Sequence, residues 1–324
     1  MKNQVTVSAP GKLMLLGEHA VVYNHPCLVT AVGQRMKVKV EFLDDPVFEL
    51  NAPDVNVKNY KKLITGLGKG DIPKGAKFVE IAVKNFSQKY PLKFGVKIET
   101  ISEFSSKFGF GSSSASTVCT IKALSELLDI KLSAKEIFDL AYKTVLDIQG
   151  KGSGFDVAAA VYGGTLYFVT AGKVIEPLQV VSIPLLVGYS GIKADTVAMI
   201  NKVLELAKNN SDFVEDIYNK IEKLVEEAKT AIVNSNWPQL GTLMNQNQNY
   251  LEKLGVSIEK LDSMIGAAKN AGAYGAKLSG AGGGDCMIAL VPDGKREAIK
   301  KAIESVGGEI LDVKTNVEGV RIEN

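Results

Sequence analysis

The chain of 324 residues holds three cysteines, two histidines and no run of five like charges. Each scarcity excludes something. Cys27, Cys119 and Cys286 are odd in number and far apart, so no disulfide framework is expected and the thiols fit a reducing cytoplasm. His19 and His25 lie six residues apart, which suits neither the helical i,i+4 pair of a zinc site nor a Cys/His cluster. The 38 basic and 36 acidic residues are interspersed and leave a formal charge of +2. A nucleic-acid binder that neutralises many phosphates would show a basic excess or cluster. The longest stretches without Asp, Glu, Lys or Arg are 16 residues, among them Pro177 to Ile192. A membrane span needs about 20 apolar residues. Met1-Lys2-Asn3-Gln4 runs straight into an alternating pattern with no apolar signal core, so export is not expected.

What remains is an ordinary globular composition, 46% hydrophobic and 23% charged, with ample material for a core. The length suggests two domains. The first half reads as α/β. Strands are expected at 4–7, 13–16, 36–42, 47–50 and 95–101, with helices at 76–88, 114–128, 133–146 and 155–162 and a strand at 165–170. Ser133 with Glu136 three residues on forms the pattern of a capping box. The second half has a strand at 185–189, then four helical segments at 195–208, 212–233, 238–254 and 257–271. A short strand ending at Lys277-Leu278, a strand at 286–291, a helix at 294–306 and two closing strands complete it. The boundary is placed near 175–183, giving domains 1–178 and 179–324.

Glycine is over-represented, at 31 residues, and it is clustered. The central cluster, Phe108-Gly-Phe-Gly-Ser-Ser-Ser-Ala115, directly precedes an apolar-periodic helix. Free N–H groups of a first helical turn, the positive dipole end and three hydroxyls make a site for phosphates. The same residues also describe a Ser-capped helix after a flexible loop. No Gly-Lys-Ser/Thr follows, so this is not a Walker loop, and no third glycine completes a dinucleotide fingerprint. A second cluster is Ser8-Ala-Pro-Gly-Lys12 with Gly17-Glu-His19, in which Lys12 can bring a cation to a reacting phosphate or remain a surface lysine after a turn. A third, Gly280-Ala-Gly-Gly-Gly-Asp285, lies between strands, where something can approach the backbone closely. Finally, Gly150-Lys-Gly-Ser-Gly-Phe-Asp156 opens a helix with a carboxylate that is either a proton acceptor or a helix N-terminal charge.

In this order the clusters resemble the GHMP kinases, over nearly the whole chain. Ala9 to Tyr23, Leu243-Met-Asn with Leu254-Gly-Val-Ser257, and Gly275 to Gly284 are similar to the mevalonate kinase branch. Gln149 to Val157 and Asp285-Cys286 look instead like phosphomevalonate kinases. A magnesium-binding Glu of many mevalonate kinases would fall at Val145. The resemblance implies a ribosomal-protein-S5-like N-terminal domain and a ferredoxin-like C-terminal domain, with ATP and Mg²⁺ as cofactors. It implies transfer of the γ-phosphoryl to mevalonate, in isoprenoid biosynthesis. The alternative acceptor is 5-phosphomevalonate, and a diphosphomevalonate-decarboxylase-like enzyme or an inactive binding protein ranks third. It further implies Asp156 and Lys12 as catalytic residues, Gly109, Phe110, Gly111, Ser112, Ser113 and Ser114 on ATP, and Ser113 on the metal. Glu18, His19, Lys151, Ser153, Thr196, Gly282, Gly283 and Gly284 would border the acceptor. A cytoplasmic protein acting on small molecules follows, with no nucleic-acid or membrane partner and room for a homodimer.

Overall fold

A strand expected to break at Pro-Gly does not break. In the computed structural model, which describes residues 3–105 and 107–323, strand β1 (Gln4–Leu16) runs through Pro10, Gly11 and Lys12 without a turn. Its register against β2 (Pro26–Leu43) shifts between Pro10 and Gly11 and again between Met14 and Leu16. Such irregularities let a strand carry a residue that lacks an N–H, and they re-aim the side chains that follow. β2 is far longer than the alternating stretch 36–42 suggests. Its first seven residues are all buried, and a segment covered on both faces has no polar alternation to read. The expectations drawn from Met1 and Lys2 lie outside the described residues, as does Ser106 of the central loop.

The first sheet continues with β3 (Val47–Ala52) and β4 (Val57–Leu63), then helix α1 (Lys77–Lys89) and β5 (Gly95–Ser102). Next come α2 (Ser112–Leu127), α3 (Ala134–Gln149), α4 (Phe155–Tyr162), β6 (Thr165–Val169) and β7 (Val174–Pro177). The capping box at Ser133 and Glu136 is present, with both reciprocal bonds made. β4 and β7 had no counterpart in the pattern analysis. β4 reads Val-Lys-Asn-Tyr-Lys-Lys-Leu, a lysine-rich edge strand that buries only its first residue. Helix α2 packs across β1 and β2 and against α1 and α3, with Ala115, Val118, Cys119, Ile121 and Leu124 fully buried.

The second half builds a separate antiparallel sheet in the order β11-β8-β10-β9, from β8 (Leu185–Tyr189), β9 (Gly275–Ser279), β10 (Cys286–Leu290) and β11 (Glu309–Leu311). Between β8 and β9 lie α5 (Thr196–Asn209), α6 (Ser211–Val233), α7 (Trp237–Lys253) and α8 (Glu259–Asn270). α9 (Arg296–Ser305) follows β10 and packs on α8. The chain then leaves this sheet. Strand β12 (Arg321–Glu323) pairs antiparallel with β1, and the first sheet has the order β12-β1-β2-β5-β3-β4, with β6 on β2 and β7 on β6. Arg35 of β2 holds this return, donating to the carbonyls of Ser8, Glu318 and Gly319. Among the described residues no helix is long and apolar enough to cross a membrane. Cys27, Cys119 and Cys286 are free and buried.

Candidate active site

A cleft of 560 Å³ opens between the first turns of α2 and α4 on one side and the loops around β8, β9 and α5 on the other. The start of α2 is left bare. Its N-cap is Gly111, at φ 79°, and no side chain caps the helix. The first-turn N–H groups and the dipole end are therefore free for an anion. Gly109, Gly111, Ser112 and Ser113 line the cleft here. The other two residues expected on ATP face inward. Phe110 is buried between the rings of Phe104 and Phe108, and its carbonyl accepts from Lys12 N at 3.0 Å. Ser114 is also buried, and its hydroxyl donates to Asp156 Oδ2 at 2.5 Å.

Asp156 is the second residue of α4, behind the N-cap Gly154 at φ 91°. Lys12 reaches the same point from β1. Its ammonium donates to Gly109 O at 2.8 Å and lies 5.3 Å from the centre of the Phe155 ring. A Cβ on Gly111 would stand 3.4 Å from Lys12 Cγ and 3.6 Å from Asp156 Cβ, so the two side chains flank one glycine. Burial pushes the Lys12 pKa down, and the carboxylates of Asp156 and Asp285 oppose that shift. A cation and a carboxylate thus meet where the glycine loop before α2 ends.

Glu18 and His19 follow β1 into the opposite wall. Glu18 borders the cleft, but its carboxylate is committed inside: it pairs with the fully buried Lys277 of β9 and accepts from Asn247 Nδ2 at 3.1 Å. Burial lowers the Lys277 pKa and Glu18 raises it back. Removing one partner of such a pair costs about 3–5 kcal/mol, because the other charge is left buried. Asn247 Oδ1 is buried without a protein partner among the described residues. His19 sits at φ 62° and its Nε2–H donates to Ala281 O at 2.9 Å, a contact between the two halves of the chain. Burial pushes the His19 pKa down, opposed by the hydrogen bond to Ala281 and by Glu18. Ser279 makes a second link, its hydroxyl donating to Met14 O at 2.9 Å and accepting from Met14 N at 3.1 Å.

The remaining expected residues divide. Lys151, Ser153 and Thr196 line the cleft. Ser153 is buried, Thr196 opens α5, and Lys151 lies exposed at the rim, 3.5 Å from Asn201 Oδ1 across the opening. Gly282, Gly283 and Gly284 are not in the lining; Gly280 and Ala281 take that place. The triple glycine presses instead on Val256, on Met199 of α5 and on the Ile192 carbonyl. Val145 is an apolar part of the wall, as expected. Two charged residues escaped the sequence reading of the site. Lys193 and Asp285 both line the cleft, and Lys193 Nζ stands 3.1 Å from Asp285 Oδ1. Nothing near Lys193 in sequence marks it, because its partner lies 92 residues away.

Comparisons with known proteins show the family. Residues 77–164 match the GHMP kinases N terminal domain and residues 228–309 the GHMP kinases C terminal domain. The mevalonate kinase of Pyrococcus abyssi is 36% identical over 334 aligned positions, covering 100% of this chain and 99% of that protein. That of Saccharolobus solfataricus is 32% identical, with 98% of each chain covered. The chain belongs to the GHMP kinases. Within that family it falls in the mevalonate kinase branch, and it is an ATP-dependent kinase. The solved structure of the Methanococcus jannaschii mevalonate kinase superposes with a TM-score of 0.83 at 28% identity, covering 95% of this chain and 97% of that one. The two-domain fold expected from the resemblance is therefore the fold present. The relatives that match over their full length are mevalonate kinases, so the phosphomevalonate kinase reading suggested by Gln149 to Val157 is not favoured.

Proposed function

We propose that this GHMP kinase transfers the γ-phosphoryl of ATP to the primary hydroxyl of mevalonate, giving 5-phosphomevalonate. The observation that carries the reading is the pairing of Asp156 and Lys12 about Gly111, at the uncapped start of α2 and open to the cleft. Full-length likeness to curated mevalonate kinases supports mevalonate as the acceptor over its 5-phosphate.

The ATP phosphates lie on the bare first turn of α2, against the Gly109–Gly111 backbone and the hydroxyls of Ser112 and Ser113. Phosphoryl transfer asks the protein chiefly to position groups and to stabilise charge. Asp156, its rotamer fixed by Ser114, takes the proton of the attacking hydroxyl. Lys12 stabilises the alkoxide and the equatorial oxygens as negative charge builds. It is anchored by Gly109 O and Phe155, so it need not reorganise during the reaction.

The donor set suits magnesium held mainly by ATP and water. Among the described residues no three His, Cys, Asp or Glu side chains cluster as a metal cage, and Val145 puts no oxygen in the wall. Hydroxyls beside a phosphate cradle are hard oxygen donors of the kind Mg²⁺ accepts while keeping its waters. Ser113 would hold the ion, which would offset phosphate charge when bound. A cytoplasmic setting, where ATP and free thiols coexist, goes with this reading.

The test is ADP release by the purified chain, with mevalonate and 5-phosphomevalonate supplied side by side. Turnover on mevalonate is expected. Turnover on 5-phosphomevalonate alone would replace this reading.

A further inference from the structure

Three lysines line the cleft, and each is held differently. Lys12 is buried and fixed by a carbonyl and a ring. Lys151 is exposed at the rim and hydrogen-bonds a neutral amide. Lys193, on the loop between β8 and α5, is half-exposed, and its ammonium lies 3.1 and 3.4 Å from the two oxygens of Asp285. The loop is shaped around that aspartate. Asp285 stands at φ 55°, its N–H donates to Ile192 O at 2.8 Å, and its carbonyl accepts from Ser190 N at 2.9 Å. Its carboxylate also accepts from Ala194 N at 2.9 Å. The same carboxylate presses on the phosphate loop, since a Cβ on Gly109 would fall 2.4 Å from Asp285 Oδ2. Lys193 is therefore brought to the phosphate loop from the wall opposite Lys12.

We infer that Lys193 is a second phosphate-binding cation, parked on Asp285 and handed to the γ-phosphoryl group of ATP. This rests on the kinase reading given above. Asp285 can release it without being stranded, because Ala194 N stays as a donor. Lys12 lacks that freedom, being buried and anchored. The two halves of the chain then each supply one cation, so that binding ATP draws the β8–α5 loop toward α2. Proximity to Gly109 favours a phosphate over the acceptor's carboxylate as the ligand.

The test compares Lys193→Met, Lys193→Gln and Lys193→Arg in the full chain, by calorimetric binding of Mg·AMP-PNP and Mg·ADP and by steady-state turnover. A lost charge-assisted contact to the γ-phosphoryl should weaken AMP-PNP binding or cut turnover about tenfold or more, with ADP affinity and acceptor KM within about twofold. Arginine should restore most of the loss. Equal loss for AMP-PNP and ADP would overturn the assignment, as would a change confined to acceptor KM or no change at all. Lys193→Gln keeps the comparison available if the methionine variant does not fold. The nucleotide arm needs no acceptor, so a wild-type chain inactive on mevalonate would sink the substrate reading while still judging Lys193.

Discussion

Ser114 Oγ and Asp156 Oδ2 lie 2.5 Å apart, a hydrogen bond that ties the first turn of α2 to the first turn of α4. In the proposed reading the phosphate cradle and the proton acceptor are thus one mechanical unit. Asp156→Asn should keep the melting temperature and lower kcat by about 10²-fold or more, the usual cost of losing a general base. Ser114→Ala removes only the bond that orients the carboxylate, and should cost about tenfold in kcat with KM for ATP little changed. ADP release and a thermal melt on each variant decide the point. Near-normal turnover in Asp156→Asn would take the residue out of the mechanism.

In the proposed reading the hydroxyls of Ser112 and Ser113 act on ATP. Replacing Ser112 and Ser113 together with alanine leaves the helix dipole and the backbone donors in place. The apparent KM for MgATP should rise, or kcat should fall through lost metal positioning, by about tenfold. A titration in which only the acceptor constant moved would reassign the loop.

Lys151 offers a direct check on the acceptor. It is exposed, and its contact with Asn201 is long. If mevalonate is the substrate, Lys151→Ala should change kcat/KM by no more than about twofold, as for other exposed charges. A second phosphate beside the γ-phosphoryl group would need an added cation, and the same substitution would then cost tenfold or more. The measurement is kcat/KM for both acceptors in both proteins.

The pH profile reports the surroundings of Lys12. Burial lowers its pKa, so the protonated, working form is lost on the alkaline side earlier than for an ordinary lysine. The alkaline limb of kcat/KM should therefore fall below the usual lysine range. Asp285 favours the ammonium form, and Asp285→Asn removes that support. The limb should move further toward neutral pH in the variant. A shift in the alkaline direction would contradict the placement.

Much of this was legible in the sequence, and the gaps have physical causes. Helix α4 and strand β8 lie where periodicity put them, at Phe155–Tyr162 and Leu185–Tyr189, because glycine and apolar runs mark both ends. The capping box of α3 could be read from two residues. The break expected in β1 did not occur, since a bulge against β2 absorbs Pro10, and bulges belong to pairs of strands. Asp156 and Lys12 were found through their glycines. Which way Ser114 and Phe110 turn was hidden, because both answer to α4 and to the neighbouring aromatic rings. Lys193 was invisible for the same kind of reason: its meaning depends on Asp285, which arrives on another strand.

The pairing of β12 with β1 has a consequence for how the chain is made. Ser8 and the carboxylate of Glu323 meet across 315 positions of sequence. A chain emerging from the ribosome can form β1, β2 and α2 long before residues 321–323 exist. Until they arrive, the outer edge of β1 presents unpaired N–H and C=O groups, a template onto which another nascent chain can add. A strand made long after β1 is therefore the one that covers this edge of the first sheet. This edge of β1 stays open until β12 has been made.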